Sequence, residues 1–175
     1  MPKRKRETAP VLIFMGSEND HAVMRETADV LDEFGVSYEL RISSAHRSPK
    51  RTITLAEKAA RNGTKVIIAG AGAAAHLAGV IAAHTTLPVI GVPLDSSPLK
   101  GVDAFLSTLQ MPAGVPVATM AVGKAGARNA GILAVQMLAL DDSRLQRKLA
   151  RYKIALAEAV EEKERTLRKT MDKRR

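Results

Sequence analysis

Ser44-Ala45-His46-Arg47-Ser48-Pro49 places an imidazole beside a guanidinium. An imidazole exchanges protons near neutral pH, and a guanidinium offers a fork of N–H donors to phosphate or carboxylate. The pair could move a proton next to a bound anion, or it could be a loop histidine beside a solvated arginine. Gly16-Ser17-Glu18-Asn19-Asp20 joins a glycine to small polar side chains. Set before a helix, such a turn can cradle a phosphate with its free N–H groups. Asp20 suits a phosphate less well, because like charges repel. It could cap a helix or accept hydrogen bonds from ribose hydroxyls. A third stretch, Gly70-Ala71-Gly72-Ala73-Ala74-Ala75-His76-Leu77, consists of tiny residues followed by a second histidine. Small side chains let a ligand or another backbone approach closely. Tight helix–sheet packing around a structural histidine accounts for that run as well.

Each stretch sits at the same kind of junction. Val11-Leu12-Ile13-Phe14-Met15 and Val66-Ile67-Ile68-Ala69 are continuous apolar runs, the pattern of strands buried on both faces. Tyr38 to Ser43 is also strand-like. Val23, Met24, Thr27, Leu31 and Phe34 recur at helical spacing after the first strand, and Gly35 closes that helix. Ser48 reads as an N-cap, with Pro49 at the first helical position, where its missing N–H is not needed. A helix around 74–85, a strand at 88–94, a short helix over 102–109, a fifth strand over 117–122 and a helix over 129–140 complete the alternation. Strands alternating with helices predict a parallel sheet with helices on both faces. The expected fold is a three-layer α/β/α, flavodoxin-like domain of about five strands. Ligands bind such sheets at the carboxyl edge of the strands, where all three stretches fall.

At 175 residues the chain suffices for one domain without disulfides or metal, and it contains no cysteine. That excludes thiolate nucleophiles and zinc–cysteine sites, and it is compatible with the cytosol. No apolar run approaches the roughly 20 residues that span a bilayer. With no signal-peptide pattern either, a cytoplasmic protein is expected. The net charge of +9 invites a nucleic-acid reading, so its location matters. Residues 7–140 carry 11 basic and 11 acidic side chains, and the whole excess lies at the two ends. Five aromatic residues in apolar contexts do not make a base-stacking platform. The basic ends could bind polyanions weakly, but nucleic acid is not the expected main partner.

The expected organisation is a basic tail over 1–9, an α/β/α catalytic domain over 10–141, a long helix over 142–168 and a basic tail over 169–175. Leu145, Leu149, Tyr152, Leu156 and Val160 form a narrow apolar stripe along that helix. Such a stripe needs cover, either from its own domain or from a neighbouring subunit, and the neighbouring subunit is the expected one.

Taken together the segments resemble the class I N5-carboxyaminoimidazole ribonucleotide mutases, the phosphoribosylaminoimidazole carboxylase catalytic subunit family. The matching text runs from Met15-Gly16-Ser17 through Ser44-Ala45-His46-Arg47, Ala69-Gly70-Ala71-Gly72 and Ala75-His76-Leu77. It continues through Gly101-Val102-Asp103, Gln110-Met111-Pro112-Ala113-Gly114-Val115-Pro116-Val117 and Gly123-Lys124-Ala125-Gly126. The resemblance covers residues 10–155 and rests on the order and spacing of all these motifs. It implies a step of purine biosynthesis that moves a carboxylate from the exocyclic nitrogen of an aminoimidazole ribonucleotide to ring carbon C4. No ATP, metal or other cofactor takes part.

The resemblance also implies roles. His46 is the proton carrier, giving a proton at nitrogen and taking one from carbon. Arg47, Ser17 and Asn19 meet the 5′-phosphate, Asp20 takes the ribose hydroxyls, and Ser44 lies beside phosphate or base. Gly72, His76 and Leu77 line the imidazole and carboxylate end. The family forms octamers, so a homo-oligomer is expected. Three positions depart from the family pattern: Asn19 replaces serine, Ala73 glycine and Ala78 proline. If residue 73 needs a positive φ, alanine is strained there. Loss of proline at 78 should loosen the loop bearing His76. Two other readings remain: a class II aminoimidazole ribonucleotide carboxylase using CO2, and a non-catalytic nucleotide-binding module.

Overall fold

In the computed structural model, which describes residues 9–172, Val11–Met15 (β1) is buried along its whole length. It pairs in parallel with Tyr38–Ile42 (β2) on one side and Val66–Gly72 (β3) on the other. β3 pairs with Val89–Leu94 (β4), which pairs with Ala118–Thr119 (β5), so the sheet runs β2-β1-β3-β4-β5 with every pair parallel. Register sets Met15 opposite both Ile42 and Gly70, and Gly70 opposite Val92. β1 and β2 therefore end level, β3 and β4 run two residues further to end level at Gly72 and Leu94, and the loops of all four leave from one edge. This is the expected flavodoxin-like order.

The helices are His21–Phe34 (α1), Pro49–Ala59 (α2), Leu77–Ala82 (α3), Val102–Leu109 (α4), Lys124–Ala139 (α5) and Ser143–Asp172 (α6). Alternate residues of a strand face opposite sides of the sheet. Leu12 and Phe14 join Ala56, Ala59, Leu77, Ala78 and Ile81 in a core under α2 and α3. On the other face Met24 of α1 presses against Gly70, where a β-carbon would lie 2.3 Å from its sulfur. Thr27 of α1 donates its hydroxyl to the carbonyl of Ala127 in α5 at 2.7 Å, so these two helices share that face.

Three boundaries differ from expectation for identifiable reasons. The fifth strand, expected over 117–122, is two residues long. Pro93 of β4 turns its carbonyl to the Gly123 N–H, so its missing N–H falls on the β5 side and the ladder stops. α3 begins at Leu77 rather than 74, because the tiny residues before it form a loop instead. α5 begins at Lys124 rather than 129. Gly126 sits inside its first turns, where a β-carbon would lie 1.6 Å from the Ala121 carbonyl oxygen.

Contacts divide the chain after Met137. The second unit comprises the end of α5, a turn and α6. Asp142 starts α6 by accepting the N–H groups of Arg144 at 2.8 Å and Leu145 at 3.1 Å. The Leu145 N–H, then that of Arg144 and its guanidinium, hold the Asp142 carboxyl below the usual carboxylate range. Leu145 is buried, whereas Leu156 and Val160 are exposed. Residues 169–172, expected in a tail, continue the helix to Asp172 with ion pairs Glu162–Arg165 and Glu164–Arg168 behind them. The expected basic N-terminal tail lies outside the described residues, Ala9 excepted.

Candidate active site

The loops after these four strands line a cavity of about 290 Å³ at the carboxyl edge of the sheet. The β1–α1 loop is tied by a reciprocal cap. The Ser17 hydroxyl accepts the Asn19 N–H at 3.3 Å, and the Ser17 N–H donates to the Asp20 carboxylate at 2.8 Å. This pattern satisfies donors that a helix start otherwise leaves open. Asp20 is buried, and burial raises its carboxyl above the usual range. The raising persists against the N–H groups of Ser17 and Gly16 and the charge of Arg47, which all act the other way.

The β2–α2 loop is tied by hydroxyls. The Ser48 hydroxyl accepts the Ser44 N–H at 3.0 Å and donates to the Ser44 carbonyl at 3.1 Å. The Ser44 hydroxyl accepts the Arg47 N–H at 3.1 Å. Ser48 precedes Pro49 as expected, yet its hydroxyl folds back on this loop and does not cap α2. Beneath the loop, Ser43 and Thr52 share a buried hydroxyl–hydroxyl bond of 2.8 Å. Arg47 reaches across to the β1 loop, donates to the Gly16 carbonyl at 3.1 Å and lines the cavity.

The β3–α3 loop contains Ala73 at φ +52°, a left-handed conformation that costs a residue bearing a β-carbon about 1–2 kcal/mol. The condition posed by the glycine-to-alanine departure is therefore met. The Ala75 N–H donates to the Ser107 hydroxyl of α4 at 3.0 Å, which anchors the loop from outside. Beyond it, His46 Nε2 lies 2.8 Å from His76 Nδ1, with the rings edge to face at 4.9 Å between centroids. One nitrogen of that contact carries the proton and the other accepts it, so the two rings form one proton-bearing unit.

Ser17, Asp20, Ser44, His46, Arg47, Gly72, His76 and Leu77 all line this one cavity. Asn19 is exposed and outside the lining; its backbone N–H is turned to Ser17. Sequence reasoning passed over Ser96, which lines the cavity from the loop after β4. That loop was legible as polar, but nothing in Asp95-Ser96-Ser97 distinguishes the residue facing inward. Ser96 explains Gly72: a β-carbon there would lie 1.8 Å from the Ser96 hydroxyl oxygen. Among the described residues no group of three or more His, Asp or Glu is placed to hold a metal, and no helix is long and apolar enough to cross a membrane.

Residues 10–159 match the family model described as AIR carboxylase. An N5-carboxyaminoimidazole ribonucleotide mutase of Bacillus subtilis is 57% identical over 137 residues, covering 78% of this chain and 85% of that protein. A mutase of the same name from Pyrococcus horikoshii is 50% identical over 163 residues, covering 93% of this chain and 91% of that one. Among solved structures, Treponema denticola PurE superposes with a TM-score of 0.79 at 28% identity, covering 87% of this chain and 94% of the other. With its motifs in register along a sheet whose loops line one cavity, this chain belongs to the AIR carboxylase family.

Proposed function

We propose that this protein converts N5-carboxyaminoimidazole ribonucleotide to 4-carboxy-5-aminoimidazole ribonucleotide in purine biosynthesis, as an isomerase that needs no ATP. The observation that carries this reading is a single cavity with unlike ends. Arg47, the Ser17 turn and Asp20 supply anion and hydroxyl partners at one end, and the His46–His76 pair sits over small residues at the other. The identity of about half with proteins named for this mutase activity supports it.

The roles are those the resemblance implies. Arg47 clamps the 5′-phosphate, with Ser17 and Asn19 at the same turn, and Asp20 accepts the ribose hydroxyls. Ser44 holds Arg47 and borders phosphate or base, while Gly72, His76 and Leu77 enclose the imidazole. In the reaction the N–C bond to the carboxylate breaks and its electron pair stays on nitrogen, which takes a proton from His46. The CO2 so released is attacked by C4, and the C4 proton then passes back to His46. Bonds and protons balance, and no co-reactant is consumed. One imidazole serves as acid and then base because it is competent in both states near neutral pH. A site walled by small residues keeps the released CO2 within reach of C4.

We read the protein as cytoplasmic and as a homo-oligomer, an octamer by resemblance. Val102, Leu106 and Leu109 stay exposed at i, i+4 and i+7 along α4, and Leu156 and Val160 along α6, which supports an oligomer. The domain reading assigns catalysis to 10–141 and an interface to the terminal helix. The deciding assay supplies fresh N5-carboxyaminoimidazole ribonucleotide without ATP or metal and, in parallel, the uncarboxylated ribonucleotide with bicarbonate. Rapid C4-carboxylated product from the first alone is the expected result. Efficient use of the second would make the protein a carboxylase, and no product from either would reduce it to a nucleotide-binding module. Sedimentation of the same preparation reads the oligomer.

A further inference from the structure

Ser96 is left without a role by everything above. It lines the cavity, and among the described residues its hydroxyl has no hydrogen-bond partner. Its neighbour Ser97 is the opposite case. The Ser97 hydroxyl donates to Asp103 at 2.8 Å and accepts the Leu99 N–H at 3.2 Å, so Ser97 builds the loop while Ser96 is presented by it. Gly72 leaves the space into which Ser96 projects. A hydroxyl open to a ligand cavity is a donor and an acceptor awaiting a partner.

The sheet order indicates which part of the ligand it meets. Arg47 and Ser17 follow β2 and β1, adjacent strands at one side. Ser96 follows β4, two strands beyond β1, and strands lie roughly 4.8 Å apart. A substrate with its phosphate over β1 and β2 therefore brings its opposite end to β3 and β4. That end is the imidazole ring with its carboxylate. Lys100 and Lys124, the cations nearest in sequence to this side, are not among the residues lining the cavity.

We propose that Ser96 donates a hydrogen bond to the substrate's carboxylate and holds the one-carbon group at the β3–β4 end of the cavity. This rests on the mutase reading. Hydrogen bonds to charged groups contribute more than neutral ones, so the loss should be selective for carboxylated ligands.

The test compares Ser96→Ala with the unmodified protein by titration calorimetry, using aminoimidazole ribonucleotide and its 4-carboxylated form. The two ligands differ only in the carboxylate. The variant should bind the carboxylated ligand about 10-fold more weakly and the uncarboxylated one within about twofold of the parent. In turnover, more of the N5-carboxylated substrate consumed should leave as uncarboxylated ribonucleotide, beyond its enzyme-free loss. Unchanged affinity for both ligands, or equal weakening of both, would overturn the assignment. Thermal melting checks that the variant is folded. If the parent protein itself binds neither ligand, the mutase reading fails, a result distinct from a parent that binds both and a variant that shows no selectivity.

Discussion

The two ends of the cavity are held in place in different ways. At the proposed phosphate end, the ties are short in sequence: Ser17 to Asn19 and Asp20, and Ser44 to Arg47 and Ser48. Each loop there is nearly self-supporting, and one long-range bond, Arg47 to Gly16, joins the two. At the other end the ties span tens of residues: His46 to His76, Ala75 to Ser107, and Gly72 against Ser96. The loop between them also carries a strained alanine. Local ties preform the proposed anion seat, whereas distant ties let the proposed reacting end depend on the packing of α3 and α4.

The largest expected effect tests the reacting end. His46→Asn should keep nucleotide binding but lower turnover by at least about 10²–10⁴-fold, the range of general acid–base catalysis. Near-normal turnover would remove His46 from the chemistry. Arg47→Ala tests the anion seat and should act mainly on binding, because a phosphate contact is the same in ground and transition states. A KM raised roughly 10- to 100-fold, with kcat nearly unchanged, is the expected split. A pure kcat defect would mean that the two ends are not separate in function.

Asp20 sharpens the contrast through pH. Burial raises its folded-state carboxyl above the unfolded value, so the folded protein holds that proton more tightly. Its contribution is therefore present below the unfolded value and is lost as pH rises through the raised one. Asp20→Asn keeps an oxygen for the Ser17 N–H and no longer ionises. Its melting temperature should exceed the parent's at neutral pH, with the gain shrinking as pH falls through the carboxylate range. KM should rise at the same time if Asp20 takes the ribose hydroxyls. A melting difference independent of pH would show that burial of the charge is not the cause.

The smallest effect belongs to the strained loop. Ala73→Gly should raise stability by about 1 kcal/mol, read as a melting shift of about 2–4 °C. The glycine's greater freedom in the unfolded chain offsets part of the relieved strain. A neutral or lower melting temperature would show that the turn tolerates the β-carbon without strain.

Much of this was legible in the sequence because its causes are local. Buried strands show as unbroken apolar runs, and α1 shows as a 3.6-residue period closed by Gly35, which adopts φ +67°. The loops after β1 and β2 were legible for the same reason, since their stabilising groups lie within four residues of one another. The start of α5 was not, because Gly126 reads as a loop residue until the Ala121 carbonyl is seen pressed against it. β5 was overestimated because a proline on β4, the preceding strand in sequence, cuts off its ladder.

The sequence by itself determined the element order, the neutral domain between charged ends, and the residue types offered at each strand end. A period, a cap or an apolar run is written in neighbouring residues, so it survives without knowledge of the fold. Only the tertiary structure decided that His46 meets His76, that Ser96 and not Ser97 faces the cavity, and that Asp20 is buried. Those facts depend on which strands become neighbours and how their ends align, and pairing across 30 or more residues leaves no periodic trace in a chain.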